Sequence, residues 1–100
     1  MWGQLMSFRL KPGKDTAGLR EQLQAIEQAD SGLLRTTILQ DQNDPDHYFT
    51  FVVFESEEKA RAREADPRRQ EGLEGLRATL ADRLAGPPEF TDLVVVAEWS

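Results

Sequence analysis

The segment His47-Tyr48-Phe49-Thr50-Phe51-Val52-Val53-Phe54 constrains the fold more than any other part of this chain. Its aromatic and β-branched residues mark a strand. Side chains along a strand alternate between two faces. Here Phe49, Phe51 and Val53 fall on one face, and Tyr48, Val52 and Phe54 on the other. A sheet with one face in water alternates apolar with polar residues, so this strand must be covered on both sides. Residues 89–99 repeat the pattern, with Phe90, Val94 and Val96 set against Leu93, Val95, Ala97 and Trp99. Leaving some half-dozen such side chains in water forfeits on the order of 10 kcal/mol, comparable to the whole stability of a domain.

The rest of the chain supplies cover for one face. Residues 2–11 read as a first strand with Trp2, Met6, Phe8 and Leu10 on one side. Lys11-Pro12-Gly13-Lys14 is a turn. Asp15 is expected to cap a helix whose apolar stripe is Leu19, Leu23 and Ile26, ending near Ser31-Gly32. Residues 33–41 form a second strand, and Gln42-Asn43-Asp44-Pro45-Asp46 a hairpin loop. Ser56 caps a short helix with Glu57 and Glu58 in its first turn. Asp66-Pro67 restarts the chain as a second helix with the stripe Leu73, Leu76, Leu80 and Leu84, stopped at Gly86-Pro87-Pro88. The order β-α-β-β-α-α-β predicts one α+β domain over residues 1–100. It is a ferredoxin-like split βαβ, a four-stranded antiparallel sheet with helices on one face. The uncovered face is expected to meet a second copy of the chain, since two-fold homodimers are the commonest assembly. Phe49, Phe51, Val53 and Val95 are the predicted interface. A loop or the Pro67 segment folded over that face is the alternative.

Charge and composition exclude several classes. A formal net charge of −6 argues against nucleic acid, because Lys and Arg neutralising phosphates supply most of that affinity. With no cysteine there is neither a disulfide framework nor a thiolate metal site. No apolar run approaches the roughly 20 residues of a membrane span. Met1-Trp2-Gly3-Gln4 opens without a basic leader, so the cytoplasm is the expected location.

His47 is the sole histidine, so a base of neutral-range pKa is His47 or a shifted carboxylate; an edge histidine is the plainer reading. Asp41, Asp44 and Asp46 crowd one loop as ordinary turn residues, and no metal site is expected. No Gly-rich phosphate loop and no Ser-His-Asp order is visible. Arg61, Arg63, Arg68 and Arg69 interleave with Glu57, Glu58, Glu64, Asp66 and Glu71. Such a pattern favours a solvated helix face with i,i+4 pairs over a site for an anionic ligand.

The chain resembles the dimeric α/β-barrel superfamily, specifically the antibiotic-biosynthesis-monooxygenase-like domains. The resemblance rests on Phe8-Arg9-Leu10-Lys11-Pro12-Gly13, on Ser31-Gly32-Leu33-Leu34, on Asp44-Pro45 and the stretch Phe54-Glu55-Ser56-Glu57-Glu58-Lys59-Ala60, and on Asp66-Pro67 and Leu84-Ala85-Gly86-Pro87. It implies a ferredoxin-like monomer whose sheet pairs with another to close a barrel. It also implies either an oxygenase needing no cofactor, acting on aromatic or polycyclic substrates, or a haem-degrading enzyme. The haem-degrading branch relies on an Asn, a Trp and a His, where this chain carries Met6, Arg63 and Leu73, so that activity is not expected. For the aromatic-oxidising branch Trp2, Tyr48, Trp99 and His47 are the available groups, and His47 and Tyr48 the first catalytic candidates. A pocket for a flat hydrophobic molecule is expected between the helices and the strand-1 face, lined by Met6, Phe8, Leu19, Leu23, Leu76 and Leu80. The alternative is a non-catalytic small-molecule-binding or dimerisation protein on the same fold. A rival resemblance, the RNA-recognition motif, shares the element order and places Phe49 and Phe51 as a stacking platform. Against it stand Tyr48 in place of a lead glycine, the stretch Leu5-Met6-Ser7-Phe8-Arg9-Leu10 without the aromatic that family places early in its strand-1 motif, the acidic charge, and the Pro67 break after strand 3.

Overall fold

The computed structural model describes residues 1–100. Strands β1 (Trp2–Arg9), β2 (Leu33–Gln40), β3 (His47–Phe54) and β4 (Glu89–Val94) alternate with helices α1 (Leu19–Ala25), α2 (Glu57–Ala65) and α3 (Pro67–Arg83), in the order β1-α1-β2-β3-α2-α3-β4. The strands make one antiparallel sheet ordered β2-β3-β1-β4. This is the α+β, ferredoxin-like arrangement read from the sequence, with β1 and the doubly apolar β3 in the middle.

Register decides what each face carries. β1 pairs Trp2 with Phe54, Met6 with Thr50, Phe8 with Tyr48 and Arg9 with His47. On its other side it pairs Trp2 with Val94 and Met6 with Phe90. Residues directly opposite share a face. One face therefore holds Trp2, Gln4, Met6 and Phe8 with Tyr48, Thr50, Val52 and Phe54. The other holds Gly3, Leu5, Ser7 and Arg9 with His47, Phe49, Phe51 and Val53. The helices lie on the first face, where Ala60 of α2 packs with Trp2 and Phe54. The guanidinium groups of Arg61 and Arg63 sit 5.1 Å from the rings of Trp2 and Phe54, respectively. Gln4 and Arg61 both donate to Asp92, at 3.0 and 2.8 Å, tying α2 to β1 and β4. Nine of the 100 residues are buried, and none of them is polar.

The helix boundaries follow local chemistry, with one exception. Ser56 Oγ accepts from the Lys59 amide at 3.2 Å and starts α2. Asp66 ends α2 and caps α3, accepting from the Arg68 amide at 2.9 Å with Pro67 at the first helical position. Asp15 does not cap α1. Its carboxylate accepts from the Ala17 amide at 3.0 Å in a tight turn, and the helix starts only after Gly18, whose φ is +80° and which offers no side-chain cap. The last strand is also shorter than the apolar run that suggested it. Its only neighbour, β1, begins at Trp2, already paired with Val94, so residues beyond Val94 have no strand to pair with. Glu98 instead reaches Arg35 at 2.9 Å. Arg35 belongs to β2, the opposite edge, so the terminal segment runs back across the sheet.

α3 approaches Ile26, just past α1, through a glycine. A Cβ on Gly72 would lie 2.5 Å from Ile26 Cγ2 and 2.8 Å from its Cβ, whereas one on Gly75 would meet nothing within 4 Å. Glycine inside a helix costs about 1 kcal/mol relative to alanine. Gly75→Ala should therefore raise stability by about 0.5–1 kcal/mol. Gly72→Ala should lower it despite the same gain in propensity. Urea unfolding of the two variants beside the wild type measures both signs.

Candidate functional site

On the helix side, Phe8, Leu19 and Leu76 are buried, and Met6, Leu23 and Leu80 are half-buried. Tyr48 stacks on Phe8 with ring centroids 5.6 Å apart, and its hydroxyl accepts from Gln40 Nε2 at 3.2 Å. The cover thins toward β4: Phe90, opposite Met6, is 58% exposed. α2 packs against β3. Beside α3 an open groove of about 810 Å³ is lined by Leu73, Leu80, Leu84, Pro87 and Pro88, with Gln70 and Arg77 at its polar edge. Leu80 is the one predicted lining residue that borders this groove.

His47 and Tyr48 are neighbours in β3 and so project from opposite faces. His47 shares its face with Phe49, Phe51 and Val53; Phe49 and Phe51 are half-buried, Val53 is buried, and Val95 on the terminal segment is half-buried. His47 Nε2 is 2.8 Å from Ser7 Oγ, and its Nδ1 is 3.4 Å from Asp41 Oδ2. Its ring lies 4.5 Å from that of Phe49. The register explains the meeting. Arg9 is opposite His47 and Ser7 opposite Phe49, so Ser7 is diagonal to His47 on one face. Asp41 follows β2 directly, and its amide donates to the His47 carbonyl at 2.9 Å, closing the hairpin. Its Oδ1 accepts from the Asn43 amide at 2.9 Å. Arg9 Nη1 donates to Asp44 at 2.7 Å, and that bond foremost holds the Asp44 carboxyl below its ordinary range. Nothing in the spacing of Ser7, Asp41 and His47 announced this cluster. The one available signal was that Ser7 is the small polar residue on the β1 face opposite Met6 and Phe8.

The arginine cluster divides in two. Arg61 makes the expected surface pairs with Glu57 and Glu64. Arg63 instead turns inward and grips Glu27 through Nε and Nη2, at 2.9 and 2.7 Å. Arg69 approaches the same carboxylate at 3.6 Å. These groups border a cleft of about 220 Å³ between the end of α1 and the α2–α3 corner, with Lys59, Asp30 and Asp66. Burial pushes the Arg69 guanidinium down. Burial also raises Glu27, but hydrogen bonds from Arg63 and Ser31 and the two nearby positive charges outweigh it, so its carboxyl ends below its ordinary value. A carboxyl lowered by folding adds stability that is present above its unfolded pKa and is lost as pH falls through the folded one. Glu27→Gln should cost about 2 kcal/mol near neutral pH. The gap between its melting temperature and that of the wild type should narrow as pH drops from about 6 to about 3. A gap independent of pH would assign the loss to packing.

No group of three or more His, Cys, Asp or Glu side chains is placed to hold a metal ion, and no helix is long and apolar enough to cross a membrane. No curated protein matches the sequence. Solved structures do match. An antibiotic-biosynthesis-monooxygenase-like protein of Chloroflexus aurantiacus is 25% identical, with a TM-score of 0.71 over 99% of this chain and 96% of that one. SnoaB from Streptomyces nogalater, a cofactor-independent oxygenase solved in a mutant form, has a TM-score of 0.72 at 16% identity over 97% and 94%. Rv0793 from Mycobacterium tuberculosis has a TM-score of 0.69 at 20% identity over 99% and 98%. The family profile for antibiotic biosynthesis monooxygenase matches residues 1–75, and the chain belongs to that family.

Proposed function

We propose that the chain is a cytoplasmic, homodimeric oxygenase that acts without a cofactor on a small, flat aromatic substrate. The observation that carries this reading is the open groove along α3, lined by Leu73, Leu80, Leu84, Pro87 and Pro88, together with the thin cover over the helix-side face of the sheet, where Met6 is half-buried and Phe90 is exposed. An apolar concavity of this kind suits a flat hydrophobic molecule. SnoaB, which shares the fold, is a cofactor-independent oxygenase, and that supports the reaction class. Oxygen chemistry without a cofactor needs a substrate that gives up a proton and then an electron to oxygen. The protein has then to position the substrate and receive the proton. Tyr48, on the helix side, is the group within the face that carries Met6 and Phe8, and His47 is the imidazole on the other face. Oxygen uptake with a panel of anthrone-like phenols tests the proposal. Uptake should fall about tenfold or more in Tyr48→Phe if the substrate sits under the helices, and in His47→Ala if it sits against the open face. Uptake unchanged in both variants would discard the two residues. Absence of uptake throughout would leave the non-catalytic binding or dimerisation reading, which the lack of any buried polar side chain favours.

The homodimer is supported by the apolar face opposite the helices, with Phe49 and Phe51 half-buried and Leu39 47% exposed. A second sheet laid on this face would cover them. Sedimentation at micromolar concentration should give twice the 11.3 kDa subunit mass. Phe51→Asp should split the dimer or unfold it, because an unpaired buried charge is costly. A wild-type monomer under those conditions would overturn this part of the proposal.

A further inference from the structure

The arginines around Glu27 have no part in the chemistry proposed for the two sheet faces. Their cleft lies in the helical layer, between the end of α1 and the α2–α3 corner, so a second sheet laid on the opposite face does not reach it. It shares no lining residue with the groove along α3. We propose that this cleft binds the carboxylate of a small, singly charged organic acid, held by the Arg69 guanidinium and the free Nη1 of Arg63.

The donor count carries the assignment. Arg63 gives Glu27 its Nε and Nη2, at 2.9 and 2.7 Å, and its Nη1 makes no hydrogen bond. Arg69 Nη1 stands 3.6 Å from Glu27 Oε1, beyond hydrogen-bond reach. The Arg69 guanidinium thus carries a full set of unused donors, although its side chain is only 15% exposed. A guanidinium presents five N–H groups in a rigid fork that matches a carboxylate. Withdrawing such a group from water without partners is costly, and an acceptor in the cleft would relieve that cost with charge-assisted bonds.

Charge and size set the ligand class. Two guanidiniums share the single carboxylate of Glu27, which leaves one positive charge over. Lys59 is already paired with Glu55 at 3.1 Å. Asp66 accepts from Arg68 at 2.7 Å, and Asp30 stands 3.6 Å from the same arginine. Both carboxylates border the cleft. They oppose a second negative charge on the ligand, so a monocarboxylate fits where a phosphate dianion does not. The volume of about 220 Å³ admits a few carbon atoms, and Ile26 and Ala62 are the apolar surfaces that would meet them.

Propionate is the probe, titrated into isotope-labelled wild type near neutral pH at constant ionic strength. The Arg69 side-chain N–H signal and the amide signals of Ile26 and Ser31 should shift together and saturate in the millimolar range, while those of Leu73 and Leu80 do not move. This reading depends on no variant's folding. Arg69→Gln should weaken propionate about tenfold or more. Arg77→Gln, which removes an exposed arginine further along α3, should change its affinity by less than about twofold. Inorganic phosphate should bind more weakly than propionate. Shifts that never saturate, or that chloride reproduces, would overturn the proposal. So would an affinity unchanged in Arg69→Gln, an equal loss in Arg77→Gln, or phosphate bound more tightly than propionate.

Discussion

Setting Trp2 opposite Phe54 at one end of the β1–β3 pair and Arg9 opposite His47 at the other assigns every side chain of the two central strands to a face. A slip of one residue would exchange the faces of β1. It would turn Trp2 and Phe8 away from the helices and bring Ser7 and Leu5 beneath them. The register is held at the Trp2 end, where Phe54 and Ala60 close the small core. There Arg61 and Arg63 lie over the two rings in cation–π contact. α2 is thereby fixed to the sheet, and α3 follows from the Asp66-Pro67 corner. The meeting of Ser7 with His47 descends from this one pairing.

What could be read from the sequence is what depends on near neighbours. The aromatic and β-branched run His47–Phe54 announced a strand. Ser56 and Asp66-Pro67 announced helix starts because a cap and a proline act within one turn of themselves. Asp15 shows the limit. The same carboxylate can cap a helix or close a tight turn two residues on, and the choice belongs to the loop around it. β4 shows another, since it ends where β1 begins, a matter of the partner strand rather than of Val95 and Val96.

The candidate sites were less legible for the same reason. Alternating charges along α2 could not distinguish Arg61, which stays at the surface, from Arg63, whose partner Glu27 lies beyond the end of α1. His47 was singled out as the sole histidine, but its two partners come from a different strand and from the hairpin. Only the tertiary register brings them within reach. Period-two alternation put Met6 and Phe8 on one face of β1, but it took the register to set Tyr48 beside them, and the groove residues Leu84, Pro87 and Pro88 enter through the turn after α3.

The short roll of buried residues bears on how the subunit responds to temperature. Unfolding it alone uncovers less apolar surface than a chain of the same length with a fuller core would, and the heat-capacity increment of unfolding scales with that surface. A lone subunit therefore has a shallow stability curve, low at its maximum and slow to bend toward cold or heat. Covering Phe49, Phe51 and Leu39 with a second sheet would steepen the curve as well as raise it. The temperature range over which the fold persists would then be set by subunit concentration as much as by the contacts inside one chain.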